Sequence, residues 1–116
     1  MVVDQPGRSD DDRVFAALAD ATRRDIVLRV LQHAETVSTL ASRYAMSFAA
    51  VQKHVAVLER AGLVSKERRG REQLVSGRID TVRALARSLQ LYEETWRGRI
   101  GRMEEILAEP PGEADT

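Results

Sequence analysis

The chain has 116 residues, with 18 Lys/Arg balanced by 18 Asp/Glu, and it contains no cysteine. That length makes one small domain whose modest buried fraction would gain from pairing with a second copy, and the missing cysteine excludes both a disulfide framework and a thiolate metal site. No apolar run approaches the ~20 residues of a membrane span and no basic-then-apolar leader opens the chain, so the expectation is a soluble, cytoplasmic protein with no membrane partner.

Residues 1–9, polar and carrying Pro6 and Gly7, read as a disordered tail, and residues 109–116, beginning Glu109-Pro110-Pro111-Gly112, read as another; 10–108 is then the domain. A first helix follows the acidic start at Asp10 to Asp12, with Val14, Phe15, Leu18 and Ala19 at helical spacing. Thr22 is the expected N-cap of a second helix, whose apolar stripe is Ile26, Val27, Val30 and Leu31 and which stops near His33. A short third helix spans about Ser38 to Tyr44, with Leu40, Ala41 and Tyr44 inward, and Ser47 caps a fourth after the turn at Ala45-Met46.

From Ser47 to Ala61, a period of 3.6 separates two faces. Val51, Val55 and Leu58 form the core side; Ala49, Gln52, Lys53, Ala56 and Arg60 form the other. Gly62 is the expected residue just past the helix end, and Leu63 to Arg68, a turn near Arg69-Gly70-Arg71, and Glu72 to Ser76 make a hairpin. Asp80 is the expected cap of a last helix, about Asp80 to Ala108. It carries Val82, Leu85, Leu89, Tyr92, Trp96, Ile100, Met103 and Leu107 in steps of three and four, nearly a heptad seam. A helix of that length, roughly 43 Å, exceeds what a domain this small needs, so much of the seam requires a partner chain.

Short helix, turn, second helix, Gly stop and arginine-tipped hairpin describe a winged helix-turn-helix, which lays one helix in the major groove of double-stranded DNA and a basic hairpin beside it. The fold class is therefore mostly α with a small β-hairpin and a long C-terminal dimerisation helix. Zero net charge does not oppose this, because from Arg43 to Arg78 eight Lys/Arg stand against three acids, making this segment +5 and the rest −5. On the exposed face Ala49 and Ala56 let the backbone approach the bases; Gln52 suits adenine, and Lys53 suits guanine or a phosphate. Such a face taken alone is more often only the solvated side of a helix, and the flanking turn and hairpin are what favour recognition. Arg68, Arg69 and Arg71 around Gly70 repel one another unless an anion is near, which points to phosphate or the minor groove. Three arginines exceed what guarding a sheet edge requires.

His54 lies at the edge of the core stripe, where it serves as a structural or phosphate-contacting hydrogen-bonder rather than a metal ligand, and His33 near a helix C-terminus needs no further role. Two histidines far apart without cysteine assemble no zinc or copper site, so no cofactor is expected. The acidic pairs Glu93-Glu94 and Glu104-Glu105 read as helix surface, and Gly98 and Gly101 as either a bend or a place of close backbone approach. No phosphate-binding Gly loop or nucleophile-base pair is present, so an enzyme is not expected.

Over roughly residues 13–108 the chain resembles the ArsR/SmtB family of winged-helix repressors. The resemblance is carried by FAALADATRRDIVLRVL, MSFAAVQKHVAVLERAGLVSKERRGREQ and LYEETWRGRIGRMEEIL. It implies a homodimer, built from the first and last helices through Phe15, Leu18, Leu85, Leu89, Tyr92, Trp96, Ile100 and Met103, that represses transcription from a palindromic operator. It adds Thr22, Arg23, Ser47 and His54 to Ala49, Gln52, Lys53, Arg68, Arg69 and Arg71 as DNA-binding positions. Ala21 stands where proline is common and Gln52 where serine is common. The Cys-rich metal motif of the founding members is replaced by LASRY, so metal sensing is not implied. An effector ligand or protein is left open, and the rival reading is a winged-helix module used for protein contacts alone.

Overall fold

A computed structural model describes residues 8–108 of the chain; the remainder of the two expected tails lies outside the described residues. Helix α1 (Arg8–Leu18) begins two residues before the acidic start and buries Val14 and Ala17, while Phe15 stays 42% exposed. Helix α2 (Ala21–Gln32) buries Ile26, Val27 and Val30, with Leu31 packed against them, as its stripe predicts. Its N-cap is Asp20 rather than Thr22. The Asp20 carboxylate accepts the Arg23 backbone N–H at 3.0 Å, and Thr22 falls in the first turn. That backbone donor is the main reason the Asp20 carboxyl is held below its ordinary range.

A two-residue strand, β1 (Glu35–Thr36), follows and was not expected. Thr36 also caps α3 (Val37–Ser42), its hydroxyl accepting from Thr39 N–H at 3.1 Å, so this helix starts and ends earlier than its sequence pattern indicates. Val37 and Leu40 are buried. Beyond the helix, the Tyr44 hydroxyl donates to Asp25 at 2.6 Å, and Arg29 pairs with the same carboxylate oxygen at 2.9 Å, tying the turn to α2. The Tyr44 hydrogen bond, then Arg29, lowers the Asp25 pKa, while burial and the carboxylate push the Tyr44 phenol up to about 12.

Tyr44→Phe should therefore cost about 1 kcal/mol at neutral pH, less what water reaching Asp25 restores. A carboxyl whose folded pKa is depressed contributes stability above its unfolded pKa and loses it as pH falls through the folded value. The deficit of the variant, measured by urea unfolding, should accordingly shrink on acidification; a pH-independent deficit would show that the hydroxyl acts by packing alone.

Ser47 caps α4 (Phe48–Arg60) as expected, its hydroxyl accepting from Ala50 N–H at 3.1 Å, and Val51, Val55 and Leu58 are at most 1% exposed. Gly62, at φ +77°, takes the left-handed step that ends the helix. Its carbonyl accepts from the Thr81 hydroxyl at 2.5 Å. Strands β2 (Val64–Arg69) and β3 (Glu72–Gly77) form the hairpin, and β1 pairs with β3, so the expected two strands become a three-stranded antiparallel sheet in the order β1-β3-β2. Leu63, Val64 and Val75 close the core from the sheet side.

Helix α5 (Ile79–Ala108) starts one residue before Asp80, which sits in its first turn and accepts from Arg78 at 3.0 Å. By its contacts the chain divides after Leu85 into two units. Val82 and Leu85, in the first, pack with its core. In the second, α5 is continuous through Gly98 and Gly101, and no backbone among the described residues approaches either one.

Candidate nucleic-acid interface

The two polar turns that flank α4 are made by local chemistry. The Ser47 cap fixes where the helix begins, and its first two turns present Phe48, Ala49, Gln52 and Lys53 to solvent. Ala56 is half-buried, and Arg60 is exposed at the far end.

At the hairpin tip Arg69 pairs with Glu72 in the strand register, leaving Gly70 and Arg71 as a two-residue turn. Gly70 at φ +63°, with no positive φ at Arg71, has the sign pattern of a type II′ turn, whose twist matches that of the strands it joins. The Arg68 guanidinium donates to the Gly70 carbonyl at 3.2 Å, and Arg69 lies 3.7 Å from Glu67. The expected mutual repulsion of the arginines is thus partly answered within the hairpin. That exposed pair offsets little of the tip's charge, however.

Helix and hairpin meet at a cleft of about 320 Å³ lined by Phe48, Gln52, Lys66, Arg68, Arg71 and Gln73, among others. Among the described residues, Lys53, Arg60, Arg68 and Arg71 have no carboxylate within 4.0 Å. On this face their charge, and that of the weakly paired Arg69, is available to an outside anion.

No family model matches the chain, and no curated protein does. Solved structures do. An ArsR-like transcriptional regulator from Rhodococcus sp. RHA1 is 31% identical with a TM-score of 0.76, and the match covers 88% of this chain and 95% of that one. The chain belongs to the ArsR family. A crystal structure described as an ArsR family transcriptional regulator is 28% identical over 83% of this chain and 97% of its own, at a TM-score of 0.74. A winged helix-turn-helix DNA-binding domain from Mycobacterium bovis, described as homodimeric, shares the fold at 23% identity and a TM-score of 0.61, covering 81% of this chain and 92% of that one. The proteins it resembles are transcriptional regulators, not enzymes.

In this ArsR-family chain several residues singled out from the sequence are engaged internally. The Arg23 guanidinium donates to the Ala17 carbonyl at 2.6 Å and to the Ala16 carbonyl at 3.2 Å, and Arg24 donates to the Leu18 carbonyl at 2.7 Å. These reach the Ala17 and Leu18 carbonyls that the end of α1, with no basic residue in its own last turn, would leave open, and add a second donor to the Ala16 carbonyl, which already accepts from the Ala19 N–H at 3.2 Å. His54 Nδ1 lies 3.4 Å from Arg23 and 3.9 Å from Asp20, so the side of α4 that bears it is tied to the entry of α2. Thr22 is half-buried beside them. Arg43 pairs with Glu35 at 2.6 Å and Arg78 with Asp80, which removes two of the eight bases that made the segment basic.

The seam residues divide in the same way. Leu85 is buried in the core of the first unit and Leu18 packs against it, so neither presents the open face expected of it. In the second unit Leu89, Tyr92, Trp96, Ile100 and Met103 are 37–70% exposed along one stripe of α5. Arg99 stands over the Trp96 ring, its Cζ 5.7 Å from the centroid, and Arg97 pairs with Glu93. Among the described residues no group of three or more His, Cys, Asp or Glu is placed to hold a metal, and no helix is long and apolar enough to cross a membrane.

Phe48 and Gln73 also line the cleft, although neither was expected at the site. Phe48 lies at the edge of the core stripe, about 20° from Val55 and about 40° from Gln52 around the helix axis, and its i, i+4 relation to Gln52 was available as a signal.

Proposed function

We propose that this ArsR-family regulator is a cytoplasmic homodimeric repressor that binds double-stranded DNA at a palindromic operator. The observation that carries the reading is the cleft in which Gln52 of α4 faces the same space as Arg68 and Arg71 of the hairpin. A base-reading side chain and phosphate-neutralising ones are thereby brought onto one surface, as a helix in the major groove with a wing beside it requires. Ser47, Ala49, Gln52 and Lys53 are assigned to the groove, and Arg68, Arg69 and Arg71 to the backbone. Arg23 and His54 are assigned to holding α4 against α1 and α2, with Thr22 beside them. The dimer is formed through the stripe Leu89, Tyr92, Trp96, Ile100 and Met103, with Phe15 as the exposed aromatic of α1. The protein falls outside the metal-sensing members, since the LASRY stretch offers no thiolate and commits Leu40 to the core and Tyr44 to Asp25.

Selection of bound oligonucleotides from a random pool tests this directly. The expected product is a two-fold symmetric site with half-site centres about 34–36 Å apart, or a multiple of it. Recovery of one asymmetric half-site would contradict the dimer, and recovery of nothing at low salt would contradict DNA binding. On the selected site Gln52→Ala should relax the preference at one base position per half-site, at a cost of about 1–3 kcal/mol there. Competition with single-base variants checks this. An equal loss on every sequence would mean that Gln52 does not read a base.

A further inference from the structure

Phe48 is the first residue of α4 and is 47% exposed, although the apolar residues that follow it on the same helix, Val51, Val55 and Leu58, are at most 1% exposed. It does not belong to the core of the unit that contains it. It stands within about 40° of Gln52 around the helix axis, and the two share the cleft with Arg68, Arg71 and Gln73. An exposed phenyl beside a base-reading amide and two guanidinium groups is a poor neighbour for water and a good one for a methyl group. In the major groove one base alone carries a methyl group, thymine, and aromatic contact with it is a recognised mode of readout. Four residues of helix span about 6 Å, close to two base-pair steps of about 3.4 Å.

We propose that Phe48 is a specificity-determining residue that reads a thymine methyl group about two base pairs from the pair addressed by Gln52. The inference rests on the DNA-binding reading above and adds a defined base preference to it. The recognised element of a half-site is then a methyl contact from Phe48 followed by an amide contact from Gln52, with the wing arginines holding the flanking phosphates.

The test uses the full chain and the operator recovered by selection, with each thymine of the half-site replaced in turn by deoxyuridine, which removes the methyl group and leaves base pairing unchanged. At one position in each half-site the native protein should lose about fourfold in affinity, the worth of one buried methyl group. Phe48→Ala should bind the thymine and deoxyuridine forms equally, and Phe48→Leu should keep part of the difference. A native protein that binds the operator tightly but ignores every such replacement overturns the assignment of Phe48 while leaving DNA binding intact. So does a Phe48→Ala variant that still discriminates, because another side chain is then reading the methyl group. Failure to recover any operator sinks the DNA-binding reading and this inference with it.

Discussion

Replacing Tyr92 and Trp96 together by glutamate is expected to leave the protein folded but monomeric at micromolar concentration, with operator affinity reduced by about two to four orders of magnitude. The side chains are 70% and 57% exposed in their own unit, so within the described chain their replacement leaves no cavity. In a dimer they are desolvated, and two carboxylates per protomer placed there face each other without partners. The loss on DNA follows from geometry: once the protomers separate, the second half-site no longer benefits from the effective concentration that the first provides. Light scattering reads the mass, circular dichroism the fold and a gel shift the affinity. A variant that remains dimeric, or one that is monomeric yet binds the operator undiminished, refutes the assignment of this stripe.

The second large effect concerns the hairpin tip. Arg69→Ala combined with Arg71→Ala removes four cations from a dimer. If each contacts a phosphate, the slope of log affinity against log salt falls by about 3.6, because each neutralised phosphate contributes about 0.9. Carried from a 1 M reference to 0.15 M, that slope corresponds to about a thousandfold loss, shared by all DNA sequences alike. The Arg69–Glu67 pair does not remove Arg69 from this account, since both side chains are about two-thirds exposed and such pairs are worth little in water. A titration from low to high salt gives the slope. An unchanged slope would show that the tip does not face the backbone, and a loss confined to one sequence class would show that it reads a groove instead.

What was legible beforehand was set by near neighbours along the chain. Ser47 caps α4 because its hydroxyl reaches the N–H three residues on, and Gly62 ends that helix because the left-handed step costs it least. Val51, Val55 and Leu58 are buried because a period of 3.6 aligns them. The same reasoning misplaced the α2 cap, where Asp20, a residue type at least as good as Thr22, stands two positions earlier. It missed β1, since two residues carry no periodicity and this strand exists only where β3 offers an edge. Around the candidate site the helix and the basic tip were legible, but Phe48 was not: at about 20° from Val55 around the helix axis, periodicity does not separate it from the core, and only the fold leaves it 47% exposed.

The amino-acid order alone therefore determined which stretches are helical, both ends of α4, the hairpin turn and the polar face of α4, all consequences of contacts reached within about four residues. Tertiary structure decided the fate of the long basic side chains. Arg23 is spent on the last carbonyls of α1 and Arg43 on Glu35, whereas Arg68 and Arg71 face the open cleft with Gln52. A guanidinium at the end of several rotatable bonds pairs with whatever acceptor the fold brings within its reach, and the sites of those acceptors follow from how helices and sheet pack rather than from which residues adjoin it in the chain.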